Sequence, residues 1–460
     1  MTTTTTLHLT GLGLGLHTTL PTITLTLTAD HLRPRTKHIT CRILGTRITK
    51  TTETWDTTEA TPGFRLYTPM MSLQTYLIDA NGTITHTWTS TDKPALSAYL
   101  LTDGTLLRTA LPRINPHFWG GGIGGRVERL TWNSTVTWSY EYTTTDHCLH
   151  HDVCMLPTGN ILMIAWEAKT AADAIAHGRD PDTLQAGELW PDHIIEIRPS
   201  DNTIVWQWHL WDHLIQDFDP TKANYGTIAD HPELININYG GRILADWTHT
   251  NRIDYNPAFD QIMLSVHGFS ELWVIDHSTT TQEAAGHTGG RYHHGGDLLY
   301  RWGNPRTYHR GTEHDQQLFG QHDAHWIDPE IPGAGDILIF NNGIGRPNTT
   351  YTSLIEIHPP INADGTYILA PTAAYGPTTP TWEYTNPVPT SFYAVNLGSA
   401  ERLPTGNTIV CNGPSGAFFE LTPYKETIWN YQNHLPSDVD NQVFAIHWYP
   451  PDYPGIPQTP

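Results

Sequence analysis

A strand that reaches a polar turn and is followed by a strand ending in tryptophan recurs six times along this chain of 460 residues. The copies are TYLIDANGTITHTW, RLTWNSTVTW, IIEIRPSDNTIVWQW, LWVIDHSTTT with its continuation GDLLYRW, SLIEIHPP with its continuation TPTWEY, and FFELTPYKETIW. Their tryptophans are Trp88, Trp138, Trp208, Trp302, Trp382 and Trp429. Apolar alternation marks one buried face per strand, and the Asn, Asp, Gly and Ser between the runs supply turn chemistry. Another strand pair, with a turn such as LPTGN or PGAGD, precedes each copy. Four strands per unit, repeated six times, predict an all-β fold, a six-bladed β-propeller that hides its sheet edges by radial repetition. The tryptophans then read as blade packing rather than as ligand platforms.

Uneven spacing between the copies implies insertions. AKTAADAIAHGRDPDTL reads as helical and WDHLIQDFDP as a turn of helix. Residues 1–65 stand apart: threonine alternates with leucine or isoleucine, most plainly in LPTITLTLTADHL, which predicts a small β-sandwich or an extended arm ahead of a propeller at 66–460. Such edges could add to a neighbour's sheet and so polymerise the protein. A similar repeat occurs in pyrroloquinoline-quinone dehydrogenase propellers, but those normally have eight blades and often a vicinal disulfide in the active site, and neither is present in this sequence.

Charge narrows the partners. With 46 acidic and 25 basic residues the net charge is -21, a field that repels nucleic acid. No run approaches the ~18 apolar residues of a membrane span, and MTTTTTLHLTGLGLGLH lacks the basic region of a signal peptide. Sequons at Asn81, Asn133 and Asn348 fit a secreted chain. Cys148 and Cys154 bracket LHHDV closely enough for a short-loop disulfide, whereas Cys41 and Cys411 are far apart. GGGIGG at 120–125 satisfies a dinucleotide fingerprint in form only, because a strand rather than a helix follows it, so it reads as a flexible loop. No cofactor motif is present.

The 27 histidines concentrate the chemistry. HHDV at 150–153, DWTHTN at 246–251 and QHDAHW at 321–326 each fall where a strand enters a blade. Innermost strands line the channel of a propeller, so residues from different blades converge on its axis. His322 is therefore expected at one mouth, facing His151 and His249. The adjacent pairs His150 with His151 and His293 with His294 would point to opposite faces of a strand, so no metal site is predicted from them.

At these residues the chain resembles the bacterial arylsulfotransferases, the aryl-sulfate sulfotransferases that use no nucleotide donor. The resemblance rests on HHDVCMLPTGNIL, WDHLIQDFDPTKANYG, DWTHTNRIDYNPAFDQIMLS, FSELWVIDHST, GDLLYRWGNP, QHDAHWIDPEIPGAGDILIFNNG and ERLPTGNTIV. It implies a six-bladed propeller, often with a small N-terminal β-domain, that carries a sulfuryl group from a phenolic sulfate ester to a phenol through a sulfated histidine. It also implies a secreted or periplasmic protein with small-molecule aryl sulfate and phenol as partners. Carried over by position, the nucleophile falls on His322, and sulfate-holding residues fall on His151, His249, Asn251 and Ser399. Where the family has an arginine, this chain has His267.

The chemistry is sound in itself. Neutral imidazole is a good nucleophile near neutral pH and divides a transfer between two oxygens into two displacements. Its other nitrogen needs a partner, for which Asp323 or a nearby carbonyl is the expectation. Sulfuryl oxygens need fixed donors, and His267 in place of arginine weakens anion binding and makes it pH-dependent. Arg346 and Arg402 could compensate as cations, but each reads first as a residue that staples blades. The alternative is a non-catalytic structural or binding propeller that assembles, filaments included, through the N-terminal strands.

Overall fold

The computed structural model divides the chain into two compact units, residues 1–59 and 60–460. It describes residues 60–457 other than 242, together with the backbone of three strands in the first unit, Ile23–Leu27, Arg35–Leu44 and Arg47–Thr54. Those three pair antiparallel in chain order. The rest of the stretch expected to form a β-sandwich or arm, and Cys41's side chain, lie outside the described residues.

The second unit holds six four-stranded antiparallel sheets. Blade 1 takes its innermost strand, Val443–Tyr449, from the C-terminal end and its other three, Phe64–Pro69, Gln74–Ile78 and Ile84–Thr89, from the beginning. The ring is thus closed by hydrogen bonds between the two ends of the propeller. The innermost strands of blades 2 to 6 are Lys93–Leu100, His147–Met155, Thr250–Asn256, His322–Trp326 and Ser399–Arg402. Chain order and radial order coincide within each of these blades.

Every repeat tryptophan stands on the outermost strand of its blade. The indole N–H groups of Trp208, Trp302, Trp382 and Trp429 donate to the carbonyls of Gly296, Pro377, Pro423 and Ala80 in the following blade at 2.7 to 3.3 Å. Trp138 reaches Asn202 Oδ1 in the same way at 2.8 Å. An aromatic body fills the gap between sheets while its one polar atom finds an acceptor there, which is why tryptophan recurs at this position. Buried ion pairs add to the staples: Arg65 of blade 1 with Glu420 of blade 6 at 3.1 Å, and Arg301 with Glu271 inside blade 4 at 2.5 Å.

The insertions are less helical than their composition suggests. Within AKTAADAIAHGRDPDTL the α-helix is confined to Ala171–Ala176, capped by Thr170, before the chain turns through Gly178 and a 3-10 turn at Pro181–Thr183. WDHLIQDFDP begins in the 3-10 turn Leu210–Asp212 and continues as a short strand, Leu214–Ile215, paired in parallel with Ile235–Asn236. No helix among the described residues is long and apolar enough to cross a membrane.

The expected Cys148–Cys154 disulfide is absent, and both thiols are free. The two cysteines sit toward opposite ends of one strand, Cys148 opposite Trp166 and Cys154 opposite Leu162. At about 3.3 Å per residue an extended strand carries positions six apart far beyond the ~7 Å that a bridge spans. The sequence spacing is short, but the strand conformation makes it long in space.

Candidate active site

Bulges aim the histidines. The inner strands lose register between Leu149 and Val153, Thr250 and Arg252, and His322 and His325, and also between Pro94 and Ala98 and between Val443 and Ile446. His151 and Asp323 hold left-handed backbone inside these bulges, with φ of 54° and 52°, and His249 does so just ahead of its strand, with φ of 51°. A bulge with such a residue breaks the in-out alternation of a strand and turns a side chain toward the axis.

The imidazoles meet. Ring centroids lie 4.6 Å apart for His151 and His249, 5.1 Å for His249 and His267, and 5.5 Å for His267 and His322. The circle is completed by an apolar cluster of Leu96, Leu397 and Phe444, whose phenyl ring stands 6.2 Å from His151 and 6.1 Å from His322. One half of the mouth is imidazole and the other half is hydrocarbon. Phe444 was not legible in the sequence, because NQVFAIHWY reads only as another strand.

Hydrogen bonds assign a role to each ring. His322 Nδ1 lies 2.8 Å from Asn342 Oδ1, and the Asn342 amide is oriented by donating to the carbonyls of Ala394 and Leu397. An oxygen there can only accept, so Nδ1 carries the hydrogen and Nε2 keeps its electron pair. Leu397 N–H approaches that pair at 3.3 Å. Asn342 therefore does what was expected of Asp323. Asp323 turns away and accepts from Ala400 N–H at 2.9 Å.

His151 Nδ1 faces His150 Nδ1 at 2.8 Å, and His150 Nε2 donates to Asp192 Oδ1 at 3.0 Å. With the His150 hydrogen on the nitrogen that faces Asp192, His151 Nδ1 is the donor of that pair and its Nε2 remains an acceptor. His249 Nδ1 donates to Asp246 Oδ2 at 2.5 Å, and Asp246 is held by Trp166 Nε1 at 2.9 Å.

Burial and neighbouring charge then divide the four rings. Burial pushes His322 down to about 4, with further depression from His249. Burial and the adjacent imidazoles hold His151 and His267 well below the usual histidine range. His249 is the exception: burial lowers it, but the Asp246 carboxylate outweighs that and leaves it raised. His249 is thus the ring of the four that holds a proton most readily.

The glycine-rich stretch expected as a flexible loop is pinned onto this site. His151 N–H donates to Gly122 O at 2.8 Å and Gly124 N–H to Leu149 O at 3.0 Å. A Cβ on Gly122, whose φ is +77°, would meet the His151 ring at 2.2 Å. Only glycine lets backbone cross so close to the imidazole.

Beside His249 and His267 opens a cavity of about 510 Å³, walled by Trp119, Trp190, Ile243, Leu244 and Trp247, with Asp246 among its polar atoms. Trp119, Ile243 and Leu244 are exposed, an apolar rim suited to an aromatic ring. Further along the inner strands the channel is occupied by a charged group. Arg252 Nη1 donates to Tyr99 Oη at 2.5 Å, and its Nε stands 3.6 Å from Asp152 and 3.5 Å from Asp323. Arg252 follows DWTHTN directly and could have been noticed on that ground.

Four expected residues have partners other than the imidazoles. Asn251 donates to the carbonyl of Gln321 at 2.8 Å, so it positions the backbone ahead of His322. Ser399 Oγ accepts from Ile446 N–H at 3.1 Å, joining blades 6 and 1. Arg346 lies over Phe319 and Tyr351 at 5.0 and 4.2 Å and donates to Ser353 Oγ, and Arg402 pairs with Glu356 over Trp382. Both arginines are blade staples, and neither compensates for His267. His293 and His294 are exposed.

The fold and the site together define a six-bladed propeller that gathers four histidines at the channel mouth beside an aromatic-walled cavity, His151 and His322 from inner strands, His249 from just ahead of one and His267 from a 3-10 turn. Residues 74–442 match the model of the arylsulfotransferase (ASST) family, and the chain belongs to that family. No curated protein matches it significantly. Among solved structures it is similar to a protein of unknown function from Bacteroides caccae, at 10% identity and a TM-score of 0.45, covering 84% of this chain and 98% of that one. It is also similar to virginiamycin B lyase from Staphylococcus aureus, at 11% identity and a TM-score of 0.39, covering 83% and 88% of the two chains.

Proposed function

We propose that the protein is an aryl-sulfate sulfotransferase that works by a ping-pong route through a sulfohistidine at His322. The observation that carries this reading is the His322–Asn342 hydrogen bond, which leaves Nε2 with an electron pair, met by a long contact from Leu397 N–H, on a buried, neutral ring. The aryl group of the donor ester occupies the cavity walled by Trp190 and Trp247, with its sulfate directed toward the imidazoles.

Nε2 attacks sulfur. The S–N bond forms as the bond from sulfur to the aryl oxygen breaks, and Leu397 N–H gives up its long contact with the attacking pair. His249, the imidazolium of the group, stabilises charge on the sulfuryl oxygens. The departing phenolate takes up a proton from solvent, to which His151 returns one proton after the second half-reaction. In the second half the incoming phenol gives its proton to His151 Nε2, the one ring nitrogen left as an acceptor by the Asp192–His150 relay. The phenol oxygen then attacks sulfur, the S–N bond breaks, and His322 is restored.

The test is turnover of a chromogenic aryl sulfate with and without a phenol acceptor, in the native chain, His322→Ala and His267→Arg. Expected are phenol release that His322→Ala abolishes and His267→Arg improves, and one added SO₃ on the His322 peptide when acceptor is withheld. Absence of phenol release in every form would overturn the reading and leave a binding or assembling propeller.

A further inference from the structure

Away from the channel, His213, His287 and Asp297 bring three ligand atoms within 4.8 Å of one another. His213 follows the 3-10 turn of the insertion between blades 3 and 4, while His287 and Asp297 lie on the loop between the short helix Thr281–Ala284 and strand Tyr300–Trp302. The Nδ1 atoms of His213 and His287 approach the same oxygen, Asp297 Oδ1, at 2.7 and 2.8 Å.

The decisive contact is on the other edge of His213, whose Nε2 lies 2.9 Å from the carbonyl oxygen of Ala284. A carbonyl only accepts, so Nε2 carries a hydrogen, and Nδ1 is the atom that faces Asp297 Oδ1. His213 is fully buried and Asp297 nearly so, and the gap between these two atoms is filled by a proton or by a metal cation. A backbone carbonyl on the remote N–H of a histidine is also how metal-binding imidazoles are commonly oriented.

We propose that His213 Nδ1, His287 Nδ1 and the Asp297 carboxylate form a binding site for a divalent transition-metal ion of the zinc class. Two imidazoles and one carboxylate suit such an ion, and the exposed side of His287 leaves a fourth position for water. Bonds of about 2.0 to 2.1 Å at tetrahedral angles space ligands by about 3.3 Å, so seating the ion widens the present contacts by about half an ångström. Trp208 lies parallel to the His213 ring at 5.6 Å, and Gly296, where a Cβ would meet His213 Nε2 at 2.6 Å, lets the loop close on it. The ion ties the insertion that leads into the cavity wall at Ile243 and Leu244 to the edge of blade 4.

The full chain, stripped with a chelator and dialysed, is titrated with Zn²⁺ by calorimetry and with Co²⁺ by visible absorption. Expected are one equivalent of zinc held at this site, the ligand-field bands of four-coordinate cobalt, and a higher Tm with metal. His287→Ala, at an exposed side chain that folding does not need, and Asp297→Asn each lose that equivalent and the Tm rise. No uptake by the native chain overturns the proposal, because a proton then occupies the gap. Uptake unchanged in both variants overturns it too, as does uptake lost only in Glu167→Gln, which belongs to a separate cluster with His193 and His209.

Discussion

Asn342 Oδ1 holds His322 Nδ1 at 2.8 Å, and because Ala394 and Leu397 fix the amide, the imidazole has one orientation and one tautomer. Asn342→Asp keeps an acceptor at that place but adds charge, which favours the imidazolium. The acid limb of the kcat/KM profile, set by His322 at about 4, moves up toward the ordinary histidine range. Asn342→Leu removes the acceptor and lowers kcat/KM by about 10- to 100-fold.

His249 sets the alkaline limb. Asp246 raises it above the usual value, so its imidazolium persists to higher pH than that of an ordinary histidine and is lost as pH rises through the folded pKa. Asp246→Asn removes the raising charge, and the alkaline limb moves to lower pH. Rate profiles of the two proteins from pH 5 to 9 check this.

Gly122→Ala forces a Cβ to within 2.2 Å of the His151 ring at a backbone angle that alanine tolerates poorly. The ring or the loop must shift. A loss of turnover of tenfold or more, with a small change in Tm, is expected from steady-state kinetics beside a melting curve.

Acid weakens the fold through the same histidines. A ring whose folded pKa lies below its unfolded value of about 6.5 binds protons more readily when unfolded. His151, His267 and His322 therefore contribute stability that is present above about pH 6.5 and lost as pH falls below it, for His322 down to about 4. The Tm is expected to drop between pH 7 and pH 5, and His267→Phe to reduce the drop.

Glu420→Ala leaves Arg65 buried without its partner at the closure between blades 6 and 1. Breaking a buried pair on one side costs about 3–5 kcal/mol. Urea unfolding monitored by tryptophan fluorescence measures it.

The sequence by itself determined the number of blades, the place of each tryptophan and the identity of the channel histidines. Periodicity within a strand and repetition between strands are local properties, and a six-unit repeat has few ways to bury its edges. Only the tertiary structure decided which partner each histidine has. Asn342 rather than Asp323 orients His322, because a bulge breaks the strand alternation between His322 and His325 and sends the two neighbouring side chains to different surroundings. Ser399, Asn251 and Arg346 carry suitable chemistry but are spent on joining blades or holding backbone, and one-dimensional spacing does not record that expenditure. The pairing of His213 with Asp297 spans 84 positions and two blades, a contact set by how an insertion folds back on a neighbouring sheet rather than by any local pattern.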